Sequence, residues 1–161
     1  MTDVENVSAH SIKAWLLAIR PKTFGVAVAP VLASLAVCLS DTGFINPVTA
    51  ALTALLAIVL QAITNMENDS GYTKRKAERT NRKGLPRATS LGLLSIKEVE
   101  IGILIASLVG IAITIYFIYL THWFFLLVTV ASIAAAYLYM GGPRPIAYTP
   151  YGEIVVFIFF G

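Results

Sequence analysis

Asn65, Glu67, Asn68 and Asp69 stand together where an apolar stretch ends, and a dense run of cations follows them. If the helix carrying that stretch continues through them, Asn65, Asn68, Asp69 and Tyr72 fall at i, i+3, i+4 and i+7 and share a face. Seven of the twelve Lys and Arg residues lie in the run that follows: Lys74, Arg75, Lys76, Arg79, Arg82, Lys83 and Arg87. Amide and acidic oxygens followed by cations suit a phosphorylated ligand bound through Mg²⁺. The hard oxygens hold the metal, and Arg and Lys neutralise the phosphate charge that remains. The same run also serves as a topology signal or as a patch attracted to anionic lipid, and spacing alone does not choose between these. A nucleic-acid partner is not expected, because the run lacks the interleaved aromatics on which bases would stack.

The elements that must position these residues are transmembrane helices. Only 13% of the 161 residues are charged and 57% are hydrophobic, against about 25% charged in soluble domains. Mean hydropathy is +0.77, on the membrane side of that gap. A bilayer core of roughly 30 Å needs about 20 apolar helical residues, and four stretches approach that length. They run over about Thr23–Ser40, with Ala14–Arg20 leading in, then Pro47–Met66, Val99–Leu120 and Trp123–Met140. A fifth begins at Ile154 and reaches Gly161, which as helix spans only about 12 Å. The expected fold is therefore all-α, a polytopic bundle of four transmembrane helices plus the start of a fifth. Residues 1–13 are expected to be a tail, and 14–161 the helical body with a polar loop over 67–95. Trp15, Trp123 and several Tyr residues stand at segment ends, as interfacial anchors do. Cys38, the one cysteine, has no partner for an intrachain disulfide and is expected to pack within the first segment.

Charge sets the expected orientation. The basic run places loop 67–95 in the cytoplasm. Alternation then puts the N-terminus inside with Lys13, Arg20 and Lys22, the turns 41–46 and 121–122 outside, and Arg144 inside. The expectation is a multi-pass protein of the cell's inner (plasma) membrane, surrounded by lipid, with its binding residues on the cytoplasmic face.

The residues themselves go further than their spacing. Asn65-Met-Glu-Asn-Asp69, then Gly71, Glu78-Arg79 and Arg82-Lys-Gly-Leu-Pro-Arg87, resemble the first Asp-rich region of the UbiA-type intramembrane prenyltransferases. The branch acting on 1,4-dihydroxy-2-naphthoate in menaquinone synthesis is the most similar. Ile19-Arg-Pro-Lys-Thr-Phe24 resembles the family's helix-one signature. Tyr139-Met-Gly-Gly-Pro-Arg-Pro145, with Gly152-Glu153 and Phe157-Ile-Phe-Phe-Gly161, resembles the segment after its fourth helix. The resemblance covers about Trp15 to Gly161, in order.

It implies a Mg²⁺-dependent enzyme that transfers a polyprenyl group from polyprenyl diphosphate to an aromatic acceptor. Asn68 and Asp69 would be the catalytic metal ligands, joined by Asn65 and Glu78. Lys22, Arg82, Arg87 and Arg144 would take diphosphate oxygens, and Tyr139 would orient the head group or shield a carbocation with its ring. Lys22 and Arg144 also stand where cations snorkel to an interface, and Tyr139 where an aromatic belt would put it. Tyr72 departs from the pattern, which has an Asp there. Glu78 stands for a further Asp, Asn81 for another acid, and Leu85-Pro86 exchanges the usual order. Family members have roughly twice as many helices, with a second Asp-rich motif beyond the point this chain reaches. The chain is thus expected to be the N-terminal half of a longer enzyme, or one part of a split one completed by a second polypeptide. The alternatives are an inactive remnant and a non-catalytic membrane subunit or transporter half.

Overall fold

The computed structural model describes residues 7–76 and 86–160, the last two by backbone alone. Every regular element in them is helical: α1 (Ile12–Ile19), α2 (Phe24–Thr42), α3 (Pro47–Lys74), α4 (Ile96–Leu120), α5 (Phe124–Met140) and α6 (Gly152–Phe160). Single 3-10 turns at Pro21–Thr23 and Ile146–Tyr148 precede α2 and α6.

Local chemistry explains the boundaries. Ser11 caps α1 by accepting from the Ala14 amide at 3.2 Å. The helix stops at Arg20, which adopts a left-handed conformation at φ 55°; the residue before a proline is pushed out of the α region, and Pro21 follows. The Ala14–Arg20 stretch is therefore a separate short helix and not a straight lead into α2. Asn46 caps α3 through the Val48 and Thr49 amides at 3.0 and 3.1 Å, with Pro47 in the first turn. A reciprocal Ser95–Glu98 capping box starts α4. The N-terminal segment is held in place from residue 7. Val7 packs on the core, the His10 amide donates to Leu93 O at 2.9 Å, and the His10 ring meets Glu98 at 2.7 Å.

α3 lies at the centre and packs against α1, α2, α4 and α5. The core it organises includes Ala14, Ala18, Ile63, Met66, Ala88, Leu94, Val99, Ile103 and Ala136. Two glycines permit close approach. A Cβ on Gly102 would stand 2.7 Å from the Trp15 ring, and one on Gly71 would stand 2.9 Å from Met140 O. Between α4 and α5 the buried hydroxyls of Thr114 and Thr129 bond each other at 2.7 Å, a polar tie of the kind that joins helices in lipid.

By length and composition, three helical stretches can cross a bilayer: Ile12–Thr42 taken across its break, Pro47–Lys74 and Ile96–Leu120. α5 is equally apolar but has 17 residues, about 26 Å of helix. The large apolar side chains exposed on α2, α4 and α5, among them Leu32, Leu108 and Leu127, would destabilise a water-facing surface and suit a lipid-facing one. α3 does not end at the apolar boundary near Met66. It continues helically through residues 67–74, which were expected to open the loop.

Candidate functional site

The polar end of α3 stays helical because its side chains find partners on other elements. The Asn65 amide nitrogen donates to Ile19 O and to Thr23 Oγ1, both at 2.8 Å, tying α3 to the break between α1 and α2. Gln61 donates to Asn65 Oδ1 at 3.4 Å. One turn later, Asp69 is fully buried. Its Oδ2 accepts from the Ala88 amide at 2.9 Å, and its Oδ1 from the Thr89 amide at 2.9 Å and the Thr89 hydroxyl at 2.6 Å. Thr73 adds a hydroxyl bond to Thr89 at 2.7 Å. Residues 87–89 are thereby fastened along α3.

That fastening brings Arg87 over Tyr72. Arg87 is buried, and its guanidinium carbon lies 3.6 Å from the centre of the Tyr72 ring, within cation–π range. Tyr148, on the turn before α6, meets the same ring edge-on, with centroids 6.3 Å apart and planes at 70°. Arg75 closes the far side. It donates to the carbonyls of Met140 at 2.7 Å and Gly71 at 3.3 Å, and also to that of Gly142, capping the C-terminal end of α5.

Beside this assembly, a cavity of about 690 Å³ opens between α2, α3, α5 and α6. Gln61, Thr64, Asn65, Asn68 and Tyr139 line one part of it, while Pro30, Ala57, Val155 and Ile158 line the rest. From Asn68 to Ala57 is about 16 Å along α3, so the cavity is long, polar at one end and apolar at the other. It suits an amphipathic molecule with a polar head and a hydrocarbon tail.

No family profile matches the chain, and no solved structure matches it. Among curated proteins, 155 residues are 31% identical to 1,4-dihydroxy-2-naphthoate octaprenyltransferase of Escherichia coli strain K12, covering 92% of this chain and 50% of that protein. The chain is homologous to these UbiA-family prenyltransferases. The protein of the same name from Haemophilus influenzae is 30% identical over 164 residues, covering 94% of this chain and 52% of that one. The Mycobacterium leprae protein is 28% identical over 158 residues, with 94% and 51% covered. The chain spans about half the length of the curated relatives it matches.

Seen as a UbiA relative, the chain brings together only part of the expected site. Asn65, Asn68 and Tyr139 line the cavity. Asp69 and Arg87 are not among the residues lining it; Asp69 bonds Ala88 and Thr89, the two residues that follow Arg87. Lys22 and Arg144 are exposed on the turns after α1 and α5 and are not among the residues lining the cavity. Glu78 and Arg82 lie outside the described residues. Among the described residues no group of three or more His, Cys, Asp and Glu is placed to hold a metal ion. Mg²⁺ in such sites takes one or two carboxylates besides phosphate oxygens and water. Asn65 and Asn68 offer only neutral oxygens, and Asp69 points its carboxylate into the 88–89 turn. The described residues by themselves do not fit the ion.

Thr23 and Thr89 were not anticipated as parts of the site, whereas Gln61 stands at the head of the polar end of the second segment and Arg75 is one of the seven cations of the run. Thr23 belongs to the Ile19–Phe24 signature, and Gln61 interrupts an apolar run, so both carried a signal. Arg75 was hidden among equivalent cations.

Proposed function

We propose that this chain takes part in transferring a polyprenyl group from polyprenyl diphosphate to 1,4-dihydroxy-2-naphthoate, within an enzyme of its relatives' length. That enzyme lies in the plasma membrane, with four crossings from this chain and a cytoplasmic N-terminus. The observation that carries the reading is the long amphipathic cavity, polar at Gln61, Thr64, Asn65, Asn68 and Tyr139 and apolar beyond. A prenyl tail fits against Pro30, Ala57 and Val155, which leaves the diphosphate near Asn68, Tyr139 and Arg87. The part of the relatives not spanned here, in the same or a second polypeptide, supplies the remaining wall.

In the reaction the allylic C–O bond breaks and its electron pair leaves on the diphosphate. A ring carbon of the acceptor supplies the pair for the new C–C bond. The attacked carbon then loses a proton or, where it bears the carboxylate, carbon dioxide. Arg87 stabilises the charge gathering on the leaving group. The Tyr139 ring faces the allylic cation, and the apolar wall keeps water from quenching it.

The test uses the chain in lipid nanodiscs with radiolabelled geranylgeranyl diphosphate. Saturable binding, displaced by inorganic pyrophosphate and weakened about tenfold by Asn68→Ala, is the expected result. Geranylgeraniol binding as tightly as its diphosphate would sink the reading, since no head-group site would then exist. A second reading, a protein that binds the diphosphate without turning it over, is favoured by Tyr72 standing where an acid is expected. It predicts binding but no prenylated naphthalene when Mg²⁺ and the acceptor are added to membranes holding the chain.

A further inference from the structure

Gln61 lines the cavity one turn before Asn65 and is only 8% exposed. The bonds around it fix which way its amide faces. The Thr23 hydroxyl has one proton and gives it to Arg20 O at 2.9 Å, so its oxygen is an acceptor toward its other neighbours. The Asn65 nitrogen donates to that oxygen and to Ile19 O, both at 2.8 Å, which leaves Asn65 Oδ1 as an acceptor too. Gln61 lies 3.4 Å from both acceptors and meets them with its nitrogen. Its other arm, Oε1, is buried and has no hydrogen-bond partner among the described residues. The chain of bonds thus ends in a carbonyl oxygen that can accept and cannot donate.

Such an oxygen chooses its ligand by chemistry. A buried acceptor left unpaired carries its desolvation penalty until a donor arrives. Prenyl diphosphate brings none, since its tail is hydrocarbon and its head group, ionised at neutral pH, is a set of acceptors. The second substrate brings two hydroxyls. In 1,4-dihydroxy-2-naphthoate the 1-hydroxyl stands beside the carboxylate and donates to it internally, so the 4-hydroxyl is the one free to bond a protein group. Gln61 is about 10 Å along α3 from Asn68, between the polar end of the cavity and its apolar part. Ser132, Ala135 and Ala136 line the α5 side with short side chains that leave room for a flat ring. We propose that Gln61 Oε1 accepts the free phenolic hydroxyl of the aromatic acceptor and so sets how the ring is turned toward the allylic carbon. The proposal rests on the prenyl-transfer reading above and names the residue that orients its second substrate.

The experiment compares naphthoates that differ at one position, with the chain in lipid nanodiscs. The parent chain is expected to bind 4-hydroxy-2-naphthoate about tenfold more tightly than 2-naphthoate, the range of one hydrogen bond to a buried acceptor. 4-Methoxy-2-naphthoate keeps the oxygen but has no proton to give, and is expected to bind no better than 2-naphthoate. Gln61→Met, close in shape and without the amide oxygen, is expected to bring the hydroxylated and plain compounds within about twofold. That ratio does not depend on what fraction of the variant folds. Equal binding of the two by the parent chain, as a site satisfied by water alone would give, overturns the proposal. So does a methoxy compound that binds as tightly as the hydroxyl, or a Gln61→Met chain that keeps the tenfold preference. A parent chain that binds geranylgeranyl diphosphate but shows no preference for the hydroxyl defeats this proposal and leaves the functional reading standing. One that binds neither a naphthoate nor geranylgeranyl diphosphate overturns both.

Discussion

Asp69 gives its two oxygens to three donors, so its removal strands the Ala88 and Thr89 amides and the Thr89 hydroxyl in a buried site. Hydrogen bonds to a charged acceptor contribute about 1.5–3 kcal/mol each, and a buried donor left without a partner adds its desolvation penalty. Asp69→Ala is therefore expected to destabilise the chain by about 3 kcal/mol in a detergent unfolding titration with EDTA present. Asp69→Asn, which keeps one acceptor oxygen, should lose about half of that. A carboxylate serving only a metal would show no loss under chelation, so an unchanged midpoint for Asp69→Ala would refute the clamp. The identity of Asp69 as a special residue was legible from the Asn65–Asp69 stretch. Its partners were not, because they lie nineteen and twenty positions along the chain and neither Ala88 nor Thr89 has a side chain that announces an anion site.

α3 is the element on which the site depends, and the sequence showed its apolar length more clearly than its end. Hydropathy falls at Asn65, so a boundary near Met66 was the natural expectation. The helix survives to Lys74 with several of its polar residues bonded laterally: Asn65 to Ile19 and Thr23, Asp69 and Thr73 to residues 88 and 89, and Lys74 to Glu100. Such lateral partners have no periodic signature. Gly71 shows the same logic in reverse. A helix-interior glycine costs roughly 1 kcal/mol against alanine, yet here it admits the Met140 backbone to where a Cβ would clash. Gly71→Val should lower stability by about 2 kcal/mol through overpacking and move Tyr139 away from Asn68. Thermal unfolding in detergent and loss of geranylgeranyl diphosphate binding by the same variant check both parts. Retained binding at full stability would mean that α3 and α5 are not in register as described. The capped start of α4 and the break before α2 carry local signals, Ser95–Glu98 and Arg20-Pro21, yet neither was among the expectations.

At the scale of the whole molecule, the helical class and the membrane character followed from composition alone, because a chain so poor in charge cannot cover itself for water. Orientation rests on the clustering of cations. It predicts opposite sidedness for the turns after α2 and α5. In a Cys38→Ser background, Asp41→Cys should react with a membrane-impermeant maleimide added to intact cells, and Pro150→Cys only after lysis. Labelling of both from outside would reverse or abolish the proposed topology. The shape of the cavity was not legible, since Pro30, Ala57, Val155 and Ile158 are ordinary apolar residues until the bundle lines them up.

Arg75 also carries a consequence for how the protein is made. Its guanidinium leaves α3 early in synthesis, but the carbonyl of Met140 that it binds follows 65 residues later. During that interval the end of α3 lacks the Arg75 clasp onto α5. The ribosome must deliver α5 before this last clasp can close, so the contact between α3 and α5 completes after the turn at residues 88 and 89 is already available to Asp69. A nascent chain halted before Met140 would hold its membrane helices and still leave that end of α3 more open to protease than in the finished bundle.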